Sequence, residues 1–95
     1  MSAVIDAAIK ALSEKVDGGF DGSAKFEIEG EGAIVIDGAG VRASDDDTDV
    51  TLTADVETFQ SMMDGELNPT AAFMQGKLSI DGDMGMAMKL GAILG

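Results

Sequence analysis

The sequence predicts an α+β fold, with antiparallel strands in one sheet and helices covering one of its faces. Apolar residues first keep a helical period, then switch to a period of two from Ser23 through three runs joined by tight-turn residues, as hairpins require. Helical periods return after residue 55 and flank one further alternating run, so helices and strands are segregated rather than regularly interleaved. A length of 95 residues fits a single domain over 1–95. A hydrophobic content of 45% supplies a core, so the net charge of -12 does not imply disorder.

From Ser2 to Val16, the residues Ile5, Ile9, Leu12 and Val16 form one stripe widened by Ala8, with Ser2 as N-cap and Gly18-Gly19 ending the helix after Asp17. Phe26 and Ile28 alternate with Lys25, Glu27 and Glu29, the pattern of a half-buried strand. Ala33–Ile36 is apolar on both faces, which predicts a more central strand. Asp37-Gly38 signals a hairpin returning through Val41-Arg42-Ala43. Residues 44–48 form an acidic loop expected to be solvated, and 50–54 alternate again. Val56, Phe59, Met62 and Met63 share a face of a helix from about Asp55 to Asp64, with Gly65 suited to C′. Asn68-Pro69 reads as an N-cap followed by proline at N1 of a short helix reaching Gly76. Lys77–Asp81 is an alternating strand, and Asp83 is placed to cap a final helix from Met84 to about Leu94.

What the chain lacks restricts its chemistry. It has no Cys, His, Trp or Tyr. Disulfides, thiolate zinc, haem and iron–sulfur ligation are excluded, as are Ser–His and Cys–His nucleophiles. No cofactor is expected, and an enzyme would have to use carboxylates, lysines and hydroxyls. Eighteen acids against six bases repel phosphate, so nucleic acid and anionic membranes are poor partners. No apolar run of about 18 residues is present, and residues 1–20 lack a basic n-region and an unbroken h-region. The expectation is a cytoplasmic monomer with no stable membrane insertion.

Two local motifs fail in context. Gly38–Ala43 matches G-x-G-x-x-A but is followed by Ser44-Asp45-Asp46-Asp47, which would repel a pyrophosphate where a helix should begin, so it reads as a hairpin turn. Asp45, Asp47 and Asp49 have calcium-loop spacing, but Val50 stands where glycine is needed and Val56 where a chelating glutamate is needed, so no metal site is expected. Paired carboxylates carry no signal when acids are this frequent. The methionines are more informative. Met62, Met63, Met74, Met84, Met86 and Met88 crowd the last third of the chain. Methionine fills gaps in small cores and also lines surfaces that accept varied apolar ligands. The last helix is apolar on nearly every side, more than a thin domain can cover, which marks an interface or a ligand cavity.

Asn68-Pro69-Thr70-Ala71-Ala72-Phe73-Met74-Gln75-Gly76-Lys77-Leu78-Ser79-Ile80-Asp81-Gly82-Asp83 and the continuation Met84–Leu90 resemble the signature of the sterol carrier protein-2 family. Asp49–Thr53, Phe59 and Gly65 resemble the strand and helix that precede it there. The resemblance implies a five-stranded, mostly antiparallel sheet. It also implies an elongated apolar tunnel between sheet and helices for a fatty acyl chain, acyl-CoA or sterol-like lipid. By position it places Phe73, Met74 and Gln75 beside the tunnel, with Gln75 meeting a ligand head, and Met84, Met88 and Leu90 near the mouth. The apolar residues Phe26, Ile36, Leu52, Phe59, Met62, Met63, Leu78 and Ile80 complete the expected lining. The short stretch after the signature, ending Ile93-Leu94-Gly95, suggests a stand-alone domain of bacterial style without a peroxisomal address. The alternative is a protein-interaction or dimerisation module that uses the same groove.

Overall fold

A computed structural model of the chain describes residues 3–16 and 20–94. The Ser2 cap and the helix end at Asp17-Gly18-Gly19 lie outside the described residues. In chain order the elements are α1 (Ala3–Lys15), β1 (Ala24–Ile28), β2 (Gly32–Asp37), β3 (Gly40–Ala43), β4 (Val50–Ala54), α2 (Val56–Met63), α3 (Pro69–Met74), β5 (Leu78–Gly82) and α4 (Met84–Leu94). Their order is the one that the apolar periods predict.

The strands form one sheet in the order β3-β2-β1-β4-β5. Three of its pairings are antiparallel, and β1 with β4 is parallel. Ala24, Phe26 and Ile28 of β1, Ile34 and Ile36 of β2, and Val50, Leu52 and Ala54 of β4 face the helices and are buried. Against them α1 packs Ile5, Ala8, Leu12 and Val16, α2 packs Phe59 and Met62, and α4 packs Ala87 and Leu90. The Phe26 and Phe59 rings meet edge to face with centroids 5.3 Å apart, locking α2 onto the central strand.

The all-apolar reading of Ala33–Ile36 predicts a central strand, but the centre is β1 and β2 lies one place toward the edge. A parallel β1–β4 pair needs a crossover, and the connection from β3 supplies it by passing over the face opposite the helices. Val35 pairs with Lys25 on one side and Arg42 on the other. Both cations reach the crossing loop, Lys25 Nζ at 3.2 Å from Asp45 Oδ1 and Arg42 Nη2 at 3.7 Å from Asp46 Oδ2. Val35 is thus buried beneath salt-bridged side chains rather than beneath another layer of secondary structure. The acidic loop, expected to be free in solvent, is anchored to the sheet. Ser44 N–H donates to the Ala33 carbonyl at 3.2 Å and Asp49 N–H to Ser23 Oγ at 2.9 Å, while the Asp45 and Asp46 carboxylates stay in water.

Caps set the helix boundaries around the second half of the sheet. Asp55 accepts the Thr58 N–H at 2.7 Å, starting α2, and Asn68 accepts the Thr70 N–H at 2.8 Å with Pro69 in the first turn of α3. The bond from Thr58 holds the Asp55 carboxyl below its ordinary value of 3.8. A carboxyl with a depressed folded pKa stabilises the fold above its unfolded pKa, and that contribution fades as pH falls through the folded value. Asparagine caps equally well without titrating. Asp55→Asn is therefore expected to leave the melting temperature at pH 7 near wild type and to reduce its fall below about pH 4. Thermal melts from pH 7 to 2 check this; an unchanged acid limb would remove Asp55 from the account.

Candidate functional site

An apolar cleft opens where α3 and α4 sit over the β4–β5 edge of the sheet. Its floor is Leu52, Leu78 and Ile80, with Leu52 and Ile80 directly opposite each other across the antiparallel pair. One wall is Pro69, Thr70 and Phe73 of α3, and the other is Met84, Ala87, Met88 and Gly91 of α4. The four α4 residues fall at i, i+3, i+4 and i+7, a single helical stripe. Ala87 and Leu90 hold the helix to the core, so the stripe beside them overlooks the cleft.

The start of α4 is fixed in three ways. Asp83 Oδ1 accepts the Met86 N–H at 3.2 Å, the Asp83 N–H reaches the Asp49 carbonyl at 3.0 Å, and Lys89 Nζ lies 3.3 Å from Asp21 Oδ2. Met86 packs over Gly22, where even a Cβ would collide with its thioether. Met84, by contrast, is half exposed and Met88 is largely exposed at the rim.

Thr70 contributes the one hydroxyl in the lining, and no titratable side chain lines the cleft. Among the described residues, the two carboxyls with depressed pKa values belong elsewhere. Asp37 is held down by Arg42 and the Ala39 N–H at the β2–β3 turn, and Asp55 caps α2. Among the described residues no group of three or more Asp, Glu, His or Cys could hold a metal ion. Apart from the Thr70 hydroxyl, the cleft lining is hydrocarbon and thioether. A larger open depression of about 500 Å³ lies by the β1–β2 turn, but Glu27, Glu29, Glu31 and Asp45 surround it and favour water.

The cleft volume is about 130 Å³. Ligand pockets commonly run to roughly 300–1,000 Å³. The cleft is small for the elongated tunnel that the resemblance implies. Of the residues expected to line it, Leu52, Phe73, Leu78, Ile80, Met84 and Met88 surround the cleft. Phe26, Ile36, Phe59, Met62 and Leu90 are buried between sheet and helices. Met63 lies in a separate shallow groove with Lys15 and Leu67. Met74 is 81% exposed, and Gln75 ends α3 with its side chain outside the lining. Sequence reasoning missed Pro69, Thr70, Ala87 and Gly91. The i, i+3, i+4, i+7 stripe through residues 84, 87, 88 and 91 is the signal that carries Ala87 and Gly91, two small residues that apolar composition does not single out.

An open sheet roofed on one side by helices, with an apolar cleft beneath two of them, defines a small α+β domain. More narrowly, the chain belongs to the SCP-2 sterol transfer family, whose sequence model matches residues 5–95. Over 47 residues it is 51% identical to human sterol carrier protein 2, covering 50% of this chain and 9% of that one. The solution structure of palmitated SCP2L2 from Aedes aegypti superposes with a TM-score of 0.76 at 27% identity, covering 99% of this chain and 95% of that one. Aedes aegypti SCP-2 in complex with the C16 fatty acid palmitate shares the fold, with a TM-score of 0.78 at 22% identity over 99% of this chain and 96% of that one. The chain spans about a tenth of the length of the curated relatives it matches. No described helix is long and apolar enough to cross a membrane.

Proposed function

We propose that this chain is a non-enzymatic lipid carrier domain, acting as a cytoplasmic monomer, that takes one fatty acyl chain between α3, α4 and the β4–β5 edge. The observation that carries this reading is the apolar cleft itself, roofed by two helices and lined almost wholly by hydrocarbon and thioether groups. The complex of Aedes aegypti SCP-2 with palmitate and the palmitated SCP2L2 structure, both of the same fold, support it. Each buried methylene contributes roughly 0.8 kcal/mol, so a chain of about 12–18 carbons binds at micromolar level or better even after ordering and opening costs.

Entry requires the cleft to widen beyond about 130 Å³. The side chains that must yield are Met84 and Met88, which are unbranched, flexible and already partly in solvent. Phe73 faces them from α3. Leu52, Leu78 and Ile80 then form the fixed floor, and the buried Phe26, Ile36, Phe59, Met62 and Leu90 back it. Thr70 offers a hydroxyl to a polar head.

Displacement of a fluorescent fatty acid, paired with native mass spectra of protein purified from cells, tests the reading. The expected result is saturable binding at one site, displaced by natural fatty acids, with lipid adducts in the spectra. Absence of both displacement and adducts would sink it.

A further inference from the structure

Charge and exposure are segregated in a way the carrier reading does not require. Segments 67–80 and 84–94 contain no acid and two lysines, Lys77 and Lys89, so all 18 acids of the chain lie outside them. The exposed large hydrophobic residues among those described are Phe73, Met74, Met84, Met88 and Ile93, and every one falls in the same two segments. Phe73, Met84 and Met88 also form the rim of the cleft. The molecule therefore presents an apolar cap, continuous with its cleft, with acids only at its margin, Asp83 capping α4 and Asp21 paired with Lys89, on an otherwise strongly acidic body.

We propose that the α3–α4 cap docks on an uncharged or zwitterionic lipid surface, with the cleft mouth turned toward the hydrocarbon. Several arguments select this occupant. A net charge of -12 opposes approach to anionic membranes and to a second copy of the chain. A surface of no net charge meets no such opposition and covers the exposed apolar side chains by shallow insertion. Because the rim residues belong both to the cap and to the cleft, docking gives an acyl chain an unbroken apolar path, whereas a protein partner seated there would plug it. Lys77, exposed on the first segment, adds a cation facing lipid phosphates, while Lys89 is paired with Asp21. The biological use of this face rests on the carrier reading, but docking itself needs no bound acyl chain.

Met74 separates the two ideas, because it is 81% exposed and lies outside the cleft lining. Ligand-free protein is sedimented with phosphatidylcholine vesicles, comparing wild type with Met74→Glu and with Ala7→Glu, an exposed position on α1. The expected result is at least tenfold weaker vesicle binding for Met74→Glu, binding near wild type for Ala7→Glu, and unchanged fluorescent fatty acid affinity for both in vesicle-free buffer. No binding of wild type to these vesicles would overturn the proposal. So would vesicle binding that Met74→Glu leaves intact, or a dimer seen by light scattering that Met74→Glu dissolves. Loss of fatty acid binding by wild type would instead strike the carrier reading and leave docking standing.

Discussion

Gly82→Ala is expected to destabilise the protein by about 3 kcal/mol and to lower its melting temperature by roughly 10 °C or more. Gly82 ends β5 opposite Val50 with φ +111°. That backbone region is used almost only by glycine and costs an L-residue on the order of 1–3 kcal/mol by itself. An added Cβ would also sit against the Asp49 carbonyl oxygen and 3.0 Å from Val50 Cα, both backbone atoms that cannot rotate away. Relief requires opening the end of the β4–β5 ladder, which strains the bond from the Asp83 N–H to the same Asp49 carbonyl. Asp83 caps α4, so the disturbance passes directly to the wall of the cleft. Gly76→Ala is the control. Its φ is +77°, but nothing lies within 4 Å of the added carbon, so only the backbone term of about 1 kcal/mol remains. Thermal and denaturant melts of the two variants check the contrast; equal losses would show that close approach at Gly82 contributes nothing.

The local part of this fold was readable because each local device stands in consecutive residues. Asp55 with Thr58, Asn68 with Pro69 and Thr70, and Asp37-Gly38 each announce an element boundary by their own short-range hydrogen bonds or geometry. The parallel pairing of β1 with β4 was not readable, because it depends on where the loop after β3 lands. That loop is tied to β1 by contacts between residues distant in the chain, Lys25 to Asp45 and Asp49 N–H to Ser23 Oγ. The same long-range placement buries Val35 and moved the expected centre of the sheet from β2 to β1. The site divides along the same line. The apolar character of α3, α4 and the β5 edge was visible in composition. Which apolar residues line the hollow was not, since Phe26, Ile36, Phe59, Met62 and Leu90 share the same apolar character but lie buried in the core cluster.

Gly91→Leu is expected to weaken fatty acid binding at least tenfold, or about 1.4 kcal/mol, while leaving the fold as stable as wild type or more so. Gly91 lies within α4 and lines the cleft opposite Pro69. A Cβ there would stand 3.8 Å from Pro69 Cβ, an ordinary van der Waals contact, so the first carbon is accommodated without strain. Replacing glycine inside a helix gains about 0.5–1 kcal/mol in backbone entropy. The rest of the leucine side chain has to enter the cleft, and with only about 130 Å³ available it takes much of the space an acyl chain must occupy. Gly91→Ala should give the stability gain with a smaller loss of affinity. The pair therefore predicts opposite signs for stability and binding at one position, a combination that general misfolding cannot produce. A folded Gly91→Leu protein that binds fatty acid as tightly as wild type would place the acyl chain outside the α3–α4 cleft.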